Sequence, residues 1–264
     1  VSVRLAQDES GIATLTLDLP AQLNPLSEPL QHAFRDALAR LRDDPKLRVL
    51  MLTGAGRAFS AGADLSTVET DPASLRRAAD LMEQVTNKLV LELASMPVPV
   101  IASVNGIVAG GAVGIALAAD VVIAARSASF YLPFMPALGI VPDLGTSWFL
   151  PRAVGRARSM GLGLLGSKLP AERAAQWGLI WECVDDEQLA EETRKTAQRL
   201  AKLPAHAVRE LRAAHAESAR NDLAQQLAWE AARQRELIAG PAFAEGVRAF
   251  REKRAPDFHR SSQA

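Results

Sequence analysis

The sequence predicts an α/β fold: a largely parallel sheet with helical crossovers, followed by a C-terminal segment made of helices alone. Three observations predict it. Residues 48–53, 98–104 and 120–124 are short apolar runs of the kind that form strands buried on both faces. Stretches of helical period alternate with them, as βαβ crossovers require. Beyond Pro151 the strand signals fade, and Ala, Arg, Glu, Gln and Leu dominate through Phe250.

Taken in order, residues 12–19 alternate apolar and polar side chains, the mark of a half-buried strand. Ser27 is expected to cap the helix that follows, whose Leu30, Phe34, Leu38 and Leu41 share one face. The strand at 48–53 ends at Gly54-Ala55-Gly56, after which Leu75, Leu81, Met82, Val85, Leu89 and Leu93 keep a helical period. The strand at 98–104 runs into Asn105-Gly106, and a new helix starts among Gly110, Gly111 and Gly114. Pro170, Pro204 and Pro241 cut the C-terminal half into separate helices. An α/β core over 1–200 and a helical segment over 201–264 are expected, with 254–264 frayed.

The 264 residues are 48% hydrophobic and 23% charged, enough apolar material for a real core. Thirty basic residues balance thirty acidic ones, which gives no electrostatic reason to expect nucleic acid or an anionic membrane as partner. Cys183 stands alone, and His32, His206, His215 and His259 are too scattered for a zinc spacing, so no metal is expected. Residues 98–119 carry no charge and have the length of a membrane span, about 20 residues. Strand-type residues and the Asn105-Gly106 break argue instead for a strand, a turn and a helix. With no leader-like stretch at Val1-Ser2-Val3-Arg4, a soluble cytoplasmic protein is expected.

Two glycine turns follow core strands: Gly56-Arg57-Ala58-Phe59-Ser60-Ala61-Gly62-Ala63-Asp64-Leu65 and Asn105-Gly106-Ile107-Val108-Ala109-Gly110-Gly111. Strand carboxyl ends are where α/β sheets place ligands. Glycine also lets a backbone approach a ligand and present unpaired N–H groups, so two such turns can aim two donors at one oxygen. The plain alternative is that these glycines only permit tight turns. Neither turn reads Gly-x-Gly-x-x-Gly, and no Walker or Gly-x-Ser-x-Gly pattern occurs, so dinucleotide, nucleotide-phosphate and serine-nucleophile chemistry lose their support.

Phe59-Ser60-Ala61-Gly62-Ala63-Asp64-Leu65, then Asn105-Gly106-x-x-x-Gly110-Gly111 and Ala118-Ala119-Asp120, resemble the crotonase (enoyl-CoA hydratase/isomerase) superfamily. The likeness continues through Leu138-Gly139-Ile140-Val141-Pro142-Asp143, Leu150-Pro151-Arg152, Ala174-Ala175-Gln176-Trp177-Gly178-Leu179 and Phe250-Arg251-Glu252-Lys253-Arg254-Ala255-Pro256. The resemblance implies a repeated ββα spiral core with a C-terminal helical segment. It also implies an acyl-CoA thioester as substrate, no separate cofactor, and a homotrimer or homohexamer. By position, the two backbone donors to a thioester enolate oxygen are Ala63 and Gly111. Leu23, Ala61, Asp64 and Leu65 match the CoA path, and Phe250 and Lys253 match residues that reach the nucleotide end. Ordinary helix packing for Phe250 and a solvated charge for Lys253 stand as alternatives.

The family's hydratases carry two glutamates, at positions matched here by Gly114 and, near a one-residue length difference, by Phe134. No carboxylate lies between Asp120 and Asp143, so neither is restored by a shifted alignment. Asp143 resembles the aspartate of superfamily isomerases, including the ring-epoxide phenylacetyl-CoA isomerase type, and of a dehalogenating relative that uses it as a nucleophile. Leu132, Phe134, Met135, Leu144, Trp148 and Phe149 are expected to form an apolar pocket that raises its pKa. A helix N-cap is the alternative reading of Asp143. One carboxylate suits a proton shift better than addition of water, which needs two groups. Isomerisation of an unsaturated acyl-CoA is therefore expected, with hydration by other residues, or binding of acyl-CoA without turnover, as alternatives. Tyr131 is read as core packing or a substrate neighbour, Cys183 as inert, His206 and His215 as surface or packing residues, and Arg42-Asp43-Asp44 and Arg209-Glu210 as solvated charges.

Overall fold

The computed structural model describes residues 2–258. Strands β1 (Val3–Gln7) and β2 (Ile12–Leu17) pair antiparallel, and helix α1 (Glu28–Arg42) follows. β3 (Val49–Gly54) leads into the short β4 (Ala58–Ser60). Helix α2 (Pro72–Leu81) passes through a widened turn into α3 (Asn87–Ala94). Then come β5 (Val100–Val104), β6 (Ile107–Ala109), α4 (Gly111–Leu117), β7 (Val121–Ala125) and β8 (Ser129–Tyr131). Helix α5 (Thr146–Leu165) precedes β9 (Leu169–Pro170), α6 (Ala171–Gln176) and β10 (Glu182–Val184). The chain continues with α7 (Leu189–Leu200), α8 (Ala207–Ser218), α9 (Leu223–Ile238) and α10 (Pro241–Arg251).

The longer strands form one sheet in the order β1-β2-β3-β5-β7-β10, parallel throughout from β2 onward. The short ones form a second sheet, β4-β6-β8-β9, with only β9 antiparallel. Three successive passes, β3-β4, β5-β6 and β7-β8, each lay one strand in the large sheet and the next in the small one, the ββα spiral that the resemblance implies. Sequence explains the layering. β5 is buried at every position, as a central parallel strand must be, and Val49, Leu50, Leu52, Ile101 and Ile123 complete the middle of the core. Helix α1 buries Leu30, Phe34, Leu38 and Leu41 on its apolar face, each contributing about 1.5–3 kcal/mol. Its Arg35 holds Glu92 of α3 with paired bonds of 2.5 and 2.9 Å. The uncharged run 98–119 is β5, β6 and α4, and no helix among the described residues is long and apolar enough to cross a membrane.

Two expectations need correction. Ser27 occupies the N-cap position of α1 but its side chain makes no capping bond. The second helical residue is Pro29, which lacks one of the N–H groups such a cap would bond. Strands do recur after Pro151, but β9 and β10 span two and three residues, too short to carry a periodicity. Pro151 itself lies inside α5, and the departure from helical geometry is at Gly155 (φ 77°, ψ 165°). Arg42 is exposed, as expected of a solvated charge, and its guanidinium also donates to the Glu92 carbonyl and Ser95 hydroxyl at the end of α3.

The chain divides between Ala197 and Gln198. In the second unit Arg233 of α9 makes two 2.9 Å bonds to the Glu210 carboxylate of α8, so Glu210 is a packing contact as well as a charge. Glu245 of α10 is buried and receives Arg254, Arg248 and the Asp257 N–H, and the Arg254 bond above all holds its carboxyl at about 2. Residues 254–257 are thus tied down where fraying was expected. The rest of that expectation, 259–264, lies outside the described residues, as does His259.

Candidate active site

The first glycine turn is organised by two asparagines. Asn24 is wholly buried, accepts the Leu19 N–H at 2.9 Å and donates to the carbonyls of Ala55 and Ala58 at 2.9 and 2.8 Å. Its own carbonyl accepts the Ser60 hydroxyl at 2.7 Å. Asn105 accepts the Gly54 N–H and donates to the Gly56 carbonyl, which ties the second turn to the first. Leu23 and Asn24 both have positive φ, 63° and 54°, a conformation Asn tolerates far better than Leu. The Leu23 carbonyl then accepts the Ala61 N–H, and the Leu26 N–H donates to Gly62, each at 2.8 Å. The result is a turn fastened through the backbone at Ala55, Gly56, Ala58, Ala61 and Gly62.

Ala63 is an exception. Among the described residues its N–H has no acceptor, nor has that of Gly111, the first residue of α4. The two turns are packed together: a Cβ on Gly62 (φ 84°) would stand 2.5 Å from the Ala109 carbonyl oxygen and 3.4 Å from Gly110 Cα. Gly110 (φ 55°, ψ −136°) makes the corner into α4 in a region that side chains avoid, and its N–H bonds the Tyr131 carbonyl at 2.9 Å. Tyr131, half-buried in β8, therefore supports the second turn through its backbone. Asp64 accepts the Ser66 N–H and hydroxyl, Leu65 is 55% exposed, and Leu23 and Ala61 are half-buried.

A third turn, Asp143-Leu144-Gly145, closes on α4. Leu144 (φ 47°) and Gly145 (φ 77°) are both left-handed. Asp143 is not an N-cap; Gly145 holds that position in α5 and no side chain caps it. Oδ1 of Asp143 is buried without a hydrogen-bond partner, and so is Oγ1 of Thr146. A Cβ on Gly111 would lie 2.8 Å from that carboxylate oxygen, so Asp143 stands against the residue whose N–H is open. Burial pushes the Asp143 carboxyl up to about 6, although its own backbone N–H works in the opposite direction.

The surroundings differ from the expected pocket. Leu132, Phe134 and Leu144 are buried, but Met135 is 40% and Trp148 54% exposed. Trp148 and Phe149 pack edge to face and line a separate cavity of about 610 Å³ with Leu117, Asp120, Arg152 and Trp181. Residues 148 and 149 lie in the first turn of α5, past the sharp reversal at 144–145, and the Phe149 ring lies back against Gly145, 2.8 Å from where a Cβ there would stand. Phe250 is 85% exposed on α10, beside an apolar groove of the second unit that also includes Phe243 and His206. Lys253 is exposed just past the end of α10 with φ 53°. Cys183 is half-buried in β10, and burial raises its pKa. Asn24, Ser60 and Thr146 are the residues that sequence reading passed over; a buried Asn preceding Pro25 in a loop was the available signal.

Residues 7–261 match the model of the family described as enoyl-CoA hydratase/isomerase. The chain belongs to that family. A 1,2-epoxyphenylacetyl-CoA isomerase of Escherichia coli is 43% identical over 257 residues, 96% of this chain and 97% of that protein. A Rhodobacter capsulatus protein that carries the enoyl-CoA hydratase name is 42% identical over 248 residues, 94% of each. The solved enoyl-CoA hydratase of Bacillus anthracis superposes with a TM-score of 0.88 at 30% identity, covering 98% of this chain and 100% of the other. The protein is thus an enoyl-CoA hydratase/isomerase family enzyme with the crotonase fold, and an acyl-CoA substrate is consistent with that family.

Proposed function

We propose that the protein isomerises an unsaturated or ring-activated acyl-CoA by a one-carboxylate proton shift. The N–H groups of Ala63 and Gly111 hold the thioester oxygen as it gains charge, a donor of this kind contributing about 2.7–4 kcal/mol to the transition state. The Asp143 carboxylate takes the proton from the carbon beside the thioester, and the electron pair delocalises as an enolate onto the held oxygen. The same carboxyl then returns the proton two carbons away, so the double bond moves and nothing is added or lost. CoA runs past Leu23, Ala61, Asp64 and Leu65, and Phe250 and Lys253 serve a nucleotide end, which in relatives is often that of a neighbouring subunit's CoA, in a homotrimer or homohexamer. No cofactor is needed beyond the CoA of the substrate.

The observation that carries this reading is the buried, unpartnered Asp143 oxygen beside Gly111, with its carboxyl raised to about 6. A base in that range is mostly ionised at neutral pH yet more basic than an exposed carboxylate, and it bears no ion pair that would hold it in the charged state. Residue 114 is Gly and residues 121–142 include no carboxylate, so the two-carboxylate route to water addition lacks its groups. The name of the Escherichia coli relative adds a ring epoxide of phenylacetyl-CoA to the substrates worth trying. The hydratase name of the 42% relative favours water addition as the second reading.

Hydrogen exchange from heavy water separates these readings. The protein should place deuterium at the α-carbon of 3-enoyl-CoA and convert it to 2-enoyl-CoA, with kcat/KM rising as pH passes about 6. Asp143→Asn should lower turnover about 10²–10⁴-fold and leave CoA-ester binding intact. Rapid formation of 3-hydroxyacyl-CoA from trans-2-enoyl-CoA would replace isomerase with hydratase. Tight acyl-CoA binding with no exchange would replace both with a binding protein.

A further inference from the structure

Glycine inside a helix is disfavoured relative to alanine, so Gly114 in the buried face of α4 calls for a reason. A Cβ there would stand 2.1 Å from the Leu144 carbonyl oxygen, 2.8 Å from its carbon and 2.9 Å from Thr146 Oγ1. The first two are backbone atoms and do not rotate away. Leu144 is also buried and held at φ 47°, so its carbonyl is fixed by a conformation that leucine enters only under constraint. One turn earlier on the same helix, Gly111 faces the Leu144 side chain and Oδ1 of Asp143. The whole Asp143-Leu144-Gly145 turn therefore rests on two side-chain-free positions of α4.

We propose that Gly114 is a positioning residue: it is the seat for the Leu144 carbonyl, and this seat sets where Asp143 presents its carboxylate. A side chain at 114 and the turn exclude each other. A carboxylate on α4 at this position is thus barred by backbone packing, which commits the site to the carboxylate of the turn. This inference rests on the reading of Asp143 as the base.

A double-variant cycle tests it. Gly114→Ala should lower kcat at least tenfold with little change in KM, and should move the apparent pKa from about 6 toward that of an exposed aspartate as the turn lifts. It should also lower Tm by roughly 5 °C or more, while Gly161→Ala in α5, where a Cβ meets open space, should not lower it. In a Leu144→Gly background the carbonyl is free to swing away, so the losses caused by Gly114→Ala should shrink by at least half. Should the single variant not fold, recovery of folded protein in the double variant supports the seat and failure to recover overturns it. Equal losses in both backgrounds, or a Gly114→Ala enzyme with unchanged kcat and pH profile, overturn the proposal. If instead Asp143→Asn is fully active, the base reading fails while the Tm cycle still reports on the seat.

Discussion

The first glycine turn and the Asp143 turn are built in opposite ways. Around Asn24 and Asn105, amide side chains engage one backbone group after another: the Leu19 and Gly54 N–H groups and the Ala55, Gly56 and Ala58 carbonyls. Around Asp143, a carboxylate oxygen and a hydroxyl are buried with no partner and two successive residues are left-handed. Buried polar groups are normally satisfied, so the first turn is what stability alone would select. The second stores free energy in an unmet acceptor, on which the proposed role of Asp143 as a base would draw. Satisfied and unsatisfied polar groups are thus assigned to different loops on one framework.

The contrast can be broken from either side. Its largest expected effect is at Asn24. Asn24→Ala strands the Leu19 N–H and two or more carbonyls and leaves a left-handed alanine, so unfolding by urea should show a loss of about 3–5 kcal/mol. A loss under 1 kcal/mol would mean that the network is dispensable.

Asp143→Asn should do the reverse. An acid whose pKa rises on folding favours the folded state below its unfolded value near 3.8, and this advantage is lost as pH climbs to about 6. Above that, keeping the charge buried costs about 3 kcal/mol. The asparagine variant should therefore be more stable than the natural protein by up to that amount at pH 8 and equal to it at pH 3.5. Parallel stability curves would show that Asp143 is not destabilised by burial. The smallest effect is at Thr146: Thr146→Val removes an orphaned hydroxyl while keeping shape, and the free energy of unfolding should hold or rise, by about 1 kcal/mol at most. A clear loss would show that the hydroxyl has a partner in solution.

Much of this was legible in advance because period and composition act locally. The faces of α1 and β5, the two glycine turns and the isolation of Asp143 between residues 120 and 146 could all be read from spacing. The short strands β4, β6, β8, β9 and β10 could not, since two or three residues carry no period and their pairing is set by neighbours distant in sequence. The capping failure of Ser27 was legible in Pro29, whereas the exposure of Met135 and Trp148 was not, because it depends on how the chain on either side of the left-handed turn at 144 and 145 packs.

By itself, the sequence determined the layered α/β framework, the glycine turns that follow two core strands, and the absence of a carboxylate between Asp120 and Asp143. Those are properties of residue identity and short-range spacing. The tertiary structure decided which groups are satisfied and which are not: that Asn24 is a fully bonded hub, that Asp143 has an unmet oxygen rather than a cap, and that Gly114 is the ground on which Leu144 stands. Burial and hydrogen bonding are sums over atoms contributed by separate stretches of chain. They take their values only when those stretches meet.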